Sequence, residues 1–425
     1  MFPIRTERHV LANGLTVVLA PDRAVPVVAI NLWYGVGSRN EREGRTGFAH
    51  LFEHMMFQGS AHVPKGRHFE LVEAAGGSLN ASTWFDRTNY FETLPSHHLD
   101  LALWLESDRM GWLLPAMTEE KLENQRDVVR NERRQRYDNQ PYGDWDERIQ
   151  ELVYPEDHPY RHTVIGSMED IGAASLQDVR EFFETFYLPG NAVLTLAGDI
   201  DPIDALARVE RYFGEIPGSD ADPPPIPGRH DPGPVIGGTT RDTVRSRVPL
   251  PRIYMAFRIP PVTDPAFYTA DVATSVLSDG RASRLYRRLV REQELAKDVA
   301  AFAFPLATGR SLMIAWLNGY PESDPDELEA GLVRELEGLQ DVSRDEVARA
   351  VALSETRLLR QAEQLASRAD LLSMHQQLFG DAERLNGEVE RLRAVTPEAV
   401  REFAATTLGS DNRAVLTYLP GEEQG

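Results

Sequence analysis

Val179-Arg-Glu-Phe182, followed by Ala192-Val-Leu-Thr195, returns 221 and 222 residues later as Val400-Arg-Glu-Phe403 and Ala414-Val-Leu-Thr417. One residue of slippage over that distance marks a duplication, and a period near 220 residues is too long for a solenoid, so the repeated unit is a domain. Each copy reads as a capped helix running into a strand. Ser175 and Thr396 stand at N-cap positions, Pro397 takes the first helical position of the second copy, and a β-branched run follows. Between residues 217 and 234, seven of eighteen residues are proline and three are glycine, which excludes helix and sheet interiors and favours an extended connector. The expected organisation is therefore a domain over 1–216, a Pro-rich linker over 217–234 and a homologous domain over 235–425. In both halves strands come first, as in Leu15-Thr-Val-Val-Leu19, Val27-Val-Ala-Ile-Asn-Leu-Trp-Tyr34 and Ile253-Tyr-Met-Ala-Phe257. Long helical patterns follow at about Thr118–Tyr137 and Ser343–Leu378, the latter opening on the capping-box pattern Ser343-Arg-Asp-Glu346. Grouped strands with long helices between them predict an α+β fold of two duplicated domains, each a mostly antiparallel sheet layered with helices. Gly35-Val-Gly37 lacks the third glycine and the following helix that a dinucleotide fingerprint needs.

The 425 residues are 42% hydrophobic and 26% charged, ordinary globular values that exclude wholesale disorder. A formal charge of −21 repels phosphate backbones, so nucleic acid is not an expected partner. With no cysteine there are no thiol nucleophiles, disulfides or Cys-based zinc sites, and any metal must sit on histidine and carboxylate. The uncharged stretch 24–38 is shorter than the roughly 18 residues of a spanning helix. The N-terminus shows no apolar signal region, so the sequence as it stands reads as soluble and cytoplasmic, or periplasmic if a leader has been removed.

Gly47-Phe-Ala-His50-Leu-Phe-Glu53-His54-Met-Met-Phe-Gln58 is an apolar helical run carrying three ionisable groups. His50 and His54 are four apart and stack on one helix face, where two imidazoles can reach one metal ion; Glu53 lies three residues beyond His50, on the same side. Burying these groups without partners costs several kcal/mol, on the order of a few per group, which a metal offsets. His-x-x-Glu-His within an apolar helix is the inverted zincin arrangement. His158-Pro-Tyr-Arg-His162 shares the i,i+4 spacing, but Pro159 argues for a loop there. A catalytic zinc takes three protein ligands and keeps one open position. In the helix starting near Thr118, the residues Leu122, Gln125, Val129 and Glu132 follow 3-4-3 spacing, so Glu132 falls on the buried stripe and needs a cation. Spacing alone leaves two candidates for it: the metal, or an arginine such as Arg130 or Arg133.

His50-Leu-Phe-Glu-His54 with Arg126-Asp-Val-Val-Arg-Asn-Glu132 resembles the pitrilysin and insulinase family of zinc peptidases, most closely its bacterial and mitochondrial-processing-peptidase branch. The resemblance extends over the duplicated halves and Gly76-Gly-Ser-Leu-Asn-Ala-Ser-Thr83 with Thr88-Asn-Tyr90. It implies that His50, His54 and Glu132 hold Zn2+, that Glu53 is the general base of a zinc endopeptidase, and that Ser78, Asn80 and Ala81 lie on a strand edge that receives peptide as an added strand. Phe85, Tyr90 and Phe91 read as core. Two departures stand out. Gln125 occupies the position where many relatives have a glutamate seven residues before the ligand, a change that touches order around the metal. In Ser283-Arg-Leu-Tyr-Arg-Arg-Leu-Val290, which continues to Lys297, Val290 and Lys297 replace the Arg and Tyr with which self-sufficient members contact substrate. Arg291 is one residue off, which on an α-helix rotates it by about 100° unless the helix is locally rewound. The expectation is therefore a heterodimer, with a homologous partner that lacks the zinc motif and supplies the Arg/Tyr pair; a homodimer using Lys297 or Tyr286 is the second choice, and a non-hydrolytic zinc- or peptide-binding subunit the third. The acidic charge suggests basic, unfolded peptides as substrates.

Overall fold

The computed structural model describes residues 3–219 and 223–421, so residues 220–222 of the expected linker lie outside the described residues. The chain forms two compact units. The first holds a six-stranded sheet in the order β1-β2-β6-β3-β5-β4, made of β1 (Glu7–Val10), β2 (Thr16–Pro21), β3 (Val27–Tyr34), β4 (Ser78–Thr83), β5 (Thr88–Pro95) and β6 (Ala192–Gly198). The second holds a five-stranded sheet in the order β7-β11-β8-β10-β9, made of β7 (Gly238–Ser246), β8 (Arg252–Ile259), β9 (Asp298–Phe304), β10 (Ser311–Asn318) and β11 (Asn412–Pro420). Among the described residues β2 with β6 and β7 with β11 run parallel, and the other neighbours are antiparallel, as expected. β3 and β8 are buried along almost their whole length, which is why they read as unbroken apolar runs instead of alternating ones.

The helices that matter below are α1 (Phe48–Met55), α2 (Glu119–Arg133), α3 (Trp145–Val153), α4 (Leu176–Phe186), α5 (Phe267–Ser278), α6 (Arg344–Glu363), α7 (Leu365–Phe379) and α8 (Pro397–Thr407). The repeat read from the sequence is α4 into β6 and α8 into β11. Ser175 Oγ accepts from Asp178 N while Asp178 accepts from Ser175 N, and Thr396 accepts from Ala399 N, so both helices are capped where the sequence places the caps. β6 and β11 hold the same place in their sheets, each between a parallel and an antiparallel neighbour.

The units are not continuous in sequence. Residues up to Glu132, Thr163–Pro227 and Leu359–Gly387 make the first, and Arg133–His162, Gly228–Leu358 and the chain from Glu388 make the second. The expected limits of 1–216 and 235–425 thus miss two segments, although the Pro-rich stretch does contain the passage from Pro227 to Gly228. The cause is helix packing: α3 of the first half lies on β7, β8 and β11, and α7 of the second half lies on β3 and β6. The helical pattern over Ser343–Leu378 accordingly breaks at Gln364, whose ψ of 121° ends α6 and lets α7 start in a new direction. The pattern over Thr118–Tyr137 also changes character, since α2 gives way to a π-helical turn at Arg134–Asp138. No helix among the described residues is long and apolar enough to cross a membrane.

Candidate active site

Helix α1 starts abruptly. Gly47 has φ of 82°, and a Cβ there would lie 2.4 Å from the Ile165 carbonyl oxygen, so this turn requires glycine. The carboxylate of Glu41, itself buried, accepts from Gly47 N (2.9 Å) and Ala49 N (2.7 Å), filling the role of a cap and placing negative charge at the helix N-terminus. Phe48 and Phe52 pack on Phe182, and Phe52 on Tyr187. With Phe48, Ala49, Leu51, Phe52 and Met55 all buried, the helix is held on its apolar sides, and His50, Glu53 and His54 occupy the partly open remainder.

His50 Nε2 and His54 Nε2 lie 3.4 and 3.6 Å from Glu132 Oε2, and the two imidazole rings stand perpendicular with centroids 4.9 Å apart. In a tetrahedral zinc site with ligands at about 2.0–2.1 Å, ligand atoms stand about 3.3 Å apart, so the two nitrogen–oxygen distances and the donor types fit the ion, and all three ligand atoms lie within 4.8 Å of one another. Glu132 arrives by the stripe on α2: Leu122, Gln125 and Val129 are buried, and Glu132 is the next residue along. Of the arginines considered for it, Arg130 pairs with Asp127 and Glu123, and Arg133 with Glu147 and Asp138.

Glu53 Oε2 accepts from Thr83 Oγ1 at 2.5 Å, at the end of β4. Burial raises the Glu53 carboxyl above its ordinary value; the Thr83 hydroxyl and the charges of His54 and Arg87 oppose that rise, and Glu132 adds to it. Among the described residues β4 is an edge strand, paired on one side, with β5. Ser78 and Asn80 are exposed on it and Ala81 half-buried, with Ala81 N donating to Asn80 Oδ1 at 2.8 Å. Gln125 is buried on α2, its amide donating to Asn124 Oδ1. Phe85 and Tyr90 are core; Phe91 is only half-buried.

His158 lies in a loop, as expected. It is buried and stacked on Tyr154, its Nδ1 accepts from Tyr160 N, and burial lowers its pKa to about 4, so it is a neutral structural imidazole. In the second half, α5 lies between β8 and β9, as α1 lies between β3 and β4 in the first; it has no histidine, and Asp271 is its one acid. Val290 packs against the second unit's core while Arg291 and Lys297 are exposed, and Tyr286–Glu292 is a π-helical turn. The sequence pattern gives no pointer to Glu41, Thr83 or Arg87 as groups around this cluster, although Thr83 lies inside the stretch Gly76–Thr83 already singled out.

Residues 16–157 match the family model described as insulinase (peptidase family M16), and residues 173–353 match the one described as the peptidase M16 inactive domain. The second match contains none of His50, Glu53, His54 or Glu132. A protein named zinc protease PqqE from Helicobacter pylori is 31% identical over 335 residues, 79% of this chain and 74% of that protein. The crystal structure of a protease from Helicobacter pylori superposes with a TM-score of 0.92 at 26% identity, covering 99% of this chain and all of that one. A Pseudomonas fluorescens structure titled as a peptidase M16 inactive domain shares the fold, with a TM-score of 0.87 at 18% identity over 99% of both chains.

Proposed function

This chain belongs to the insulinase family, peptidase family M16, and from that premise we propose that it is a zinc-dependent endopeptidase. The observation that carries the reading is the convergence of His50 Nε2 and His54 Nε2 on Glu132 Oε2, with the carboxylate of Glu53 on the same helix. His50, His54 and Glu132 hold the ion, which when bound polarises a peptide carbonyl and acidifies water. Glu53 takes the proton from the attacking water and passes it to the leaving amine, while the Thr83 hydroxyl keeps one of its oxygens in place. Ser78, Asn80 and Ala81 present the outer edge of β4 to an extended peptide, whose backbone supplies most of the affinity. Gln125 supports the metal side from the buried stripe of α2. Basic, unfolded peptides suit a chain of charge −21.

Val290 and Lys297 support a heterodimer in which a homologous partner without the zinc motif completes the substrate contacts. The π-helical turn at Tyr286–Glu292 favours a second reading, a self-sufficient enzyme. Its i→i+5 bonding absorbs one residue relative to an α-helix, which is the local rewinding Arg291 needs to take over the place of Val290.

The test is hydrolysis of quenched fluorescent peptides by the zinc-loaded chain, with Glu53→Gln as the blank. Wild type should exceed the blank by about 100-fold or more, the usual scale of a general base, and should cut a Lys/Arg-rich peptide faster than an Asp/Glu-rich one at low salt. One zinc bound per chain with no hydrolysis, alone or with an added homologous subunit, would sink the peptidase reading.

A further inference from the structure

The polar contacts around Glu53 continue into the sheet and end on a residue from the other half of the sequence. Asp370, on α7, accepts at Oδ1 from Asn89 Nδ2 (2.9 Å) and Asn31 Nδ2 (3.1 Å). Asn89, thus turned with its amide toward the carboxylate, offers its Oδ1 to Ser82 Oγ at 2.7 Å. Ser82, its proton committed to Asn89, accepts from Arg87 Nη1 on both Oγ (2.6 Å) and its own carbonyl oxygen (2.7 Å). Arg87 lies against the face of Trp33 and within electrostatic reach of Asp370, Glu53 and Asp86. The next residue along β4 is Thr83, which donates to Glu53.

Every bond in this chain has one direction. A carboxylate only accepts and a guanidinium only donates, so Asp370 and Arg87 at the two ends leave one orientation for the Asn89 amide and one for the Ser82 hydroxyl between them. We propose that Asp370 is a positioning residue for the Glu53 base and the peptide-receiving strand: with Arg87 it clamps the Ser82–Thr83 end of β4 and so aims the Thr83 hydroxyl at Glu53. The second half of the chain therefore supplies part of the catalytic unit itself through α7. The inference rests on Glu53 being the base, but its geometric content does not depend on hydrolysis.

The test compares Asp370→Asn, the double substitution Asp370→Asn with Asn89→Asp, Arg87→Lys and, as a control, Ser373→Ala. Ser373, also on α7, donates to Thr195 Oγ1 at 2.8 Å outside this network. Asp370→Asn keeps shape but adds a donor, so kcat should fall between about 10-fold and 100-fold with zinc content unchanged, and amide hydrogen exchange across Ser78–Thr83 should quicken. The double substitution moves the carboxylate to position 89, where it still accepts from Ser82, and should restore slow exchange and activity to within a few-fold. Arg87→Lys leaves Asp370 untouched and should quicken exchange at the same strand. Ser373→Ala should behave as wild type. The proposal is overturned if exchange in β4 is unaffected by Asp370→Asn and Arg87→Lys, if the double substitution recovers nothing, or if Ser373→Ala produces the same loss. A zinc-loaded wild-type chain with no hydrolysis, even with an added homologous subunit, would sink the peptidase reading and leave the clamp standing, because the exchange pattern and its recovery would still decide it.

Discussion

Glu92 on β5, His68, Glu106 and Arg109 form a second concentration of ionisable groups in the first unit, and all four are buried. Arg109 grips Glu106 through two hydrogen bonds and lies over the Tyr90 ring at 4.2 Å. The ligand-type atoms of His68, Glu92 and Glu106 are within 4.8 Å of one another, a geometry that would also admit a metal. A divalent ion beside Arg109 would leave net positive charge in a dry interior, whereas one proton leaves the group neutral, so a proton is favoured. Burial, then the charge of Glu106, pushes the Glu92 carboxyl well up, and burial pushes His68 well down. Glu92 holds its proton in the folded state and loses it unfolded above a pH of about 4.3, so its contribution to stability is complete below that pH and is lost as pH rises toward the folded-state value. Glu92→Gln, which keeps a donor toward Glu106, should therefore gain on wild type as pH rises above about 4.3, by up to about 1.4 kcal/mol per pH unit in chemical denaturation; parallel profiles would show that Glu92 is ionised. At this scale the sequence was informative where one helix carries the pattern. His50 and His54 follow from i,i+4 spacing, and Glu132 from a stripe. Asp370 flanks the buried positions Ala369 and Ser373 in a comparable way, but its partners lie hundreds of residues away and no local spacing points to them.

In both units helical elements start or change character in ways that hydrophobic period does not announce. α1 is apolar enough to be read directly, yet its start depends on Glu41, whose carboxylate reaches Gly47 and Ala49 only because the intervening chain turns back. The π-helical turns at Arg134–Asp138 and Tyr286–Glu292 carry no signature in hydrophobic period, since a one-residue bulge shifts the phase without changing residue type. The second of them yields a test of subunit organisation. If the rewound turn gives Arg291 the substrate-contacting role, Arg291→Ala lowers kcat of the lone chain by roughly 100-fold, the scale of losing one transition-state donor. If hydrolysis by the lone chain is instead absent and appears only after Val290→Arg with Lys297→Tyr, the partner reading stands and the turn has no catalytic consequence.

At the level of the whole molecule, the exchange of α3 and α7 between the sequence halves governs how the protein can be divided. Residues 1–234 lack α7, which covers β3 and β6, and residues 235–425 lack α3, which covers β7, β8 and β11. Each fragment made alone should show no cooperative unfolding transition, and co-refolding the two should restore one together with zinc binding; a separately stable 1–234 fragment that binds zinc would contradict this. The duplication, the strand-rich starts of both halves and the inverted zincin helix were determined by the sequence alone, because repeats, hydrophobic period and i,i+4 spacing are local properties of the chain. Only the tertiary structure decided which sheet each amphipathic helix covers, that Glu132 faces the two imidazoles, and that Asp370 and Arg87 pin the strand beside Glu53. An apolar face specifies burial but not its partner, and a buried hydrogen-bond chain takes its direction from groups that meet only in the folded protein.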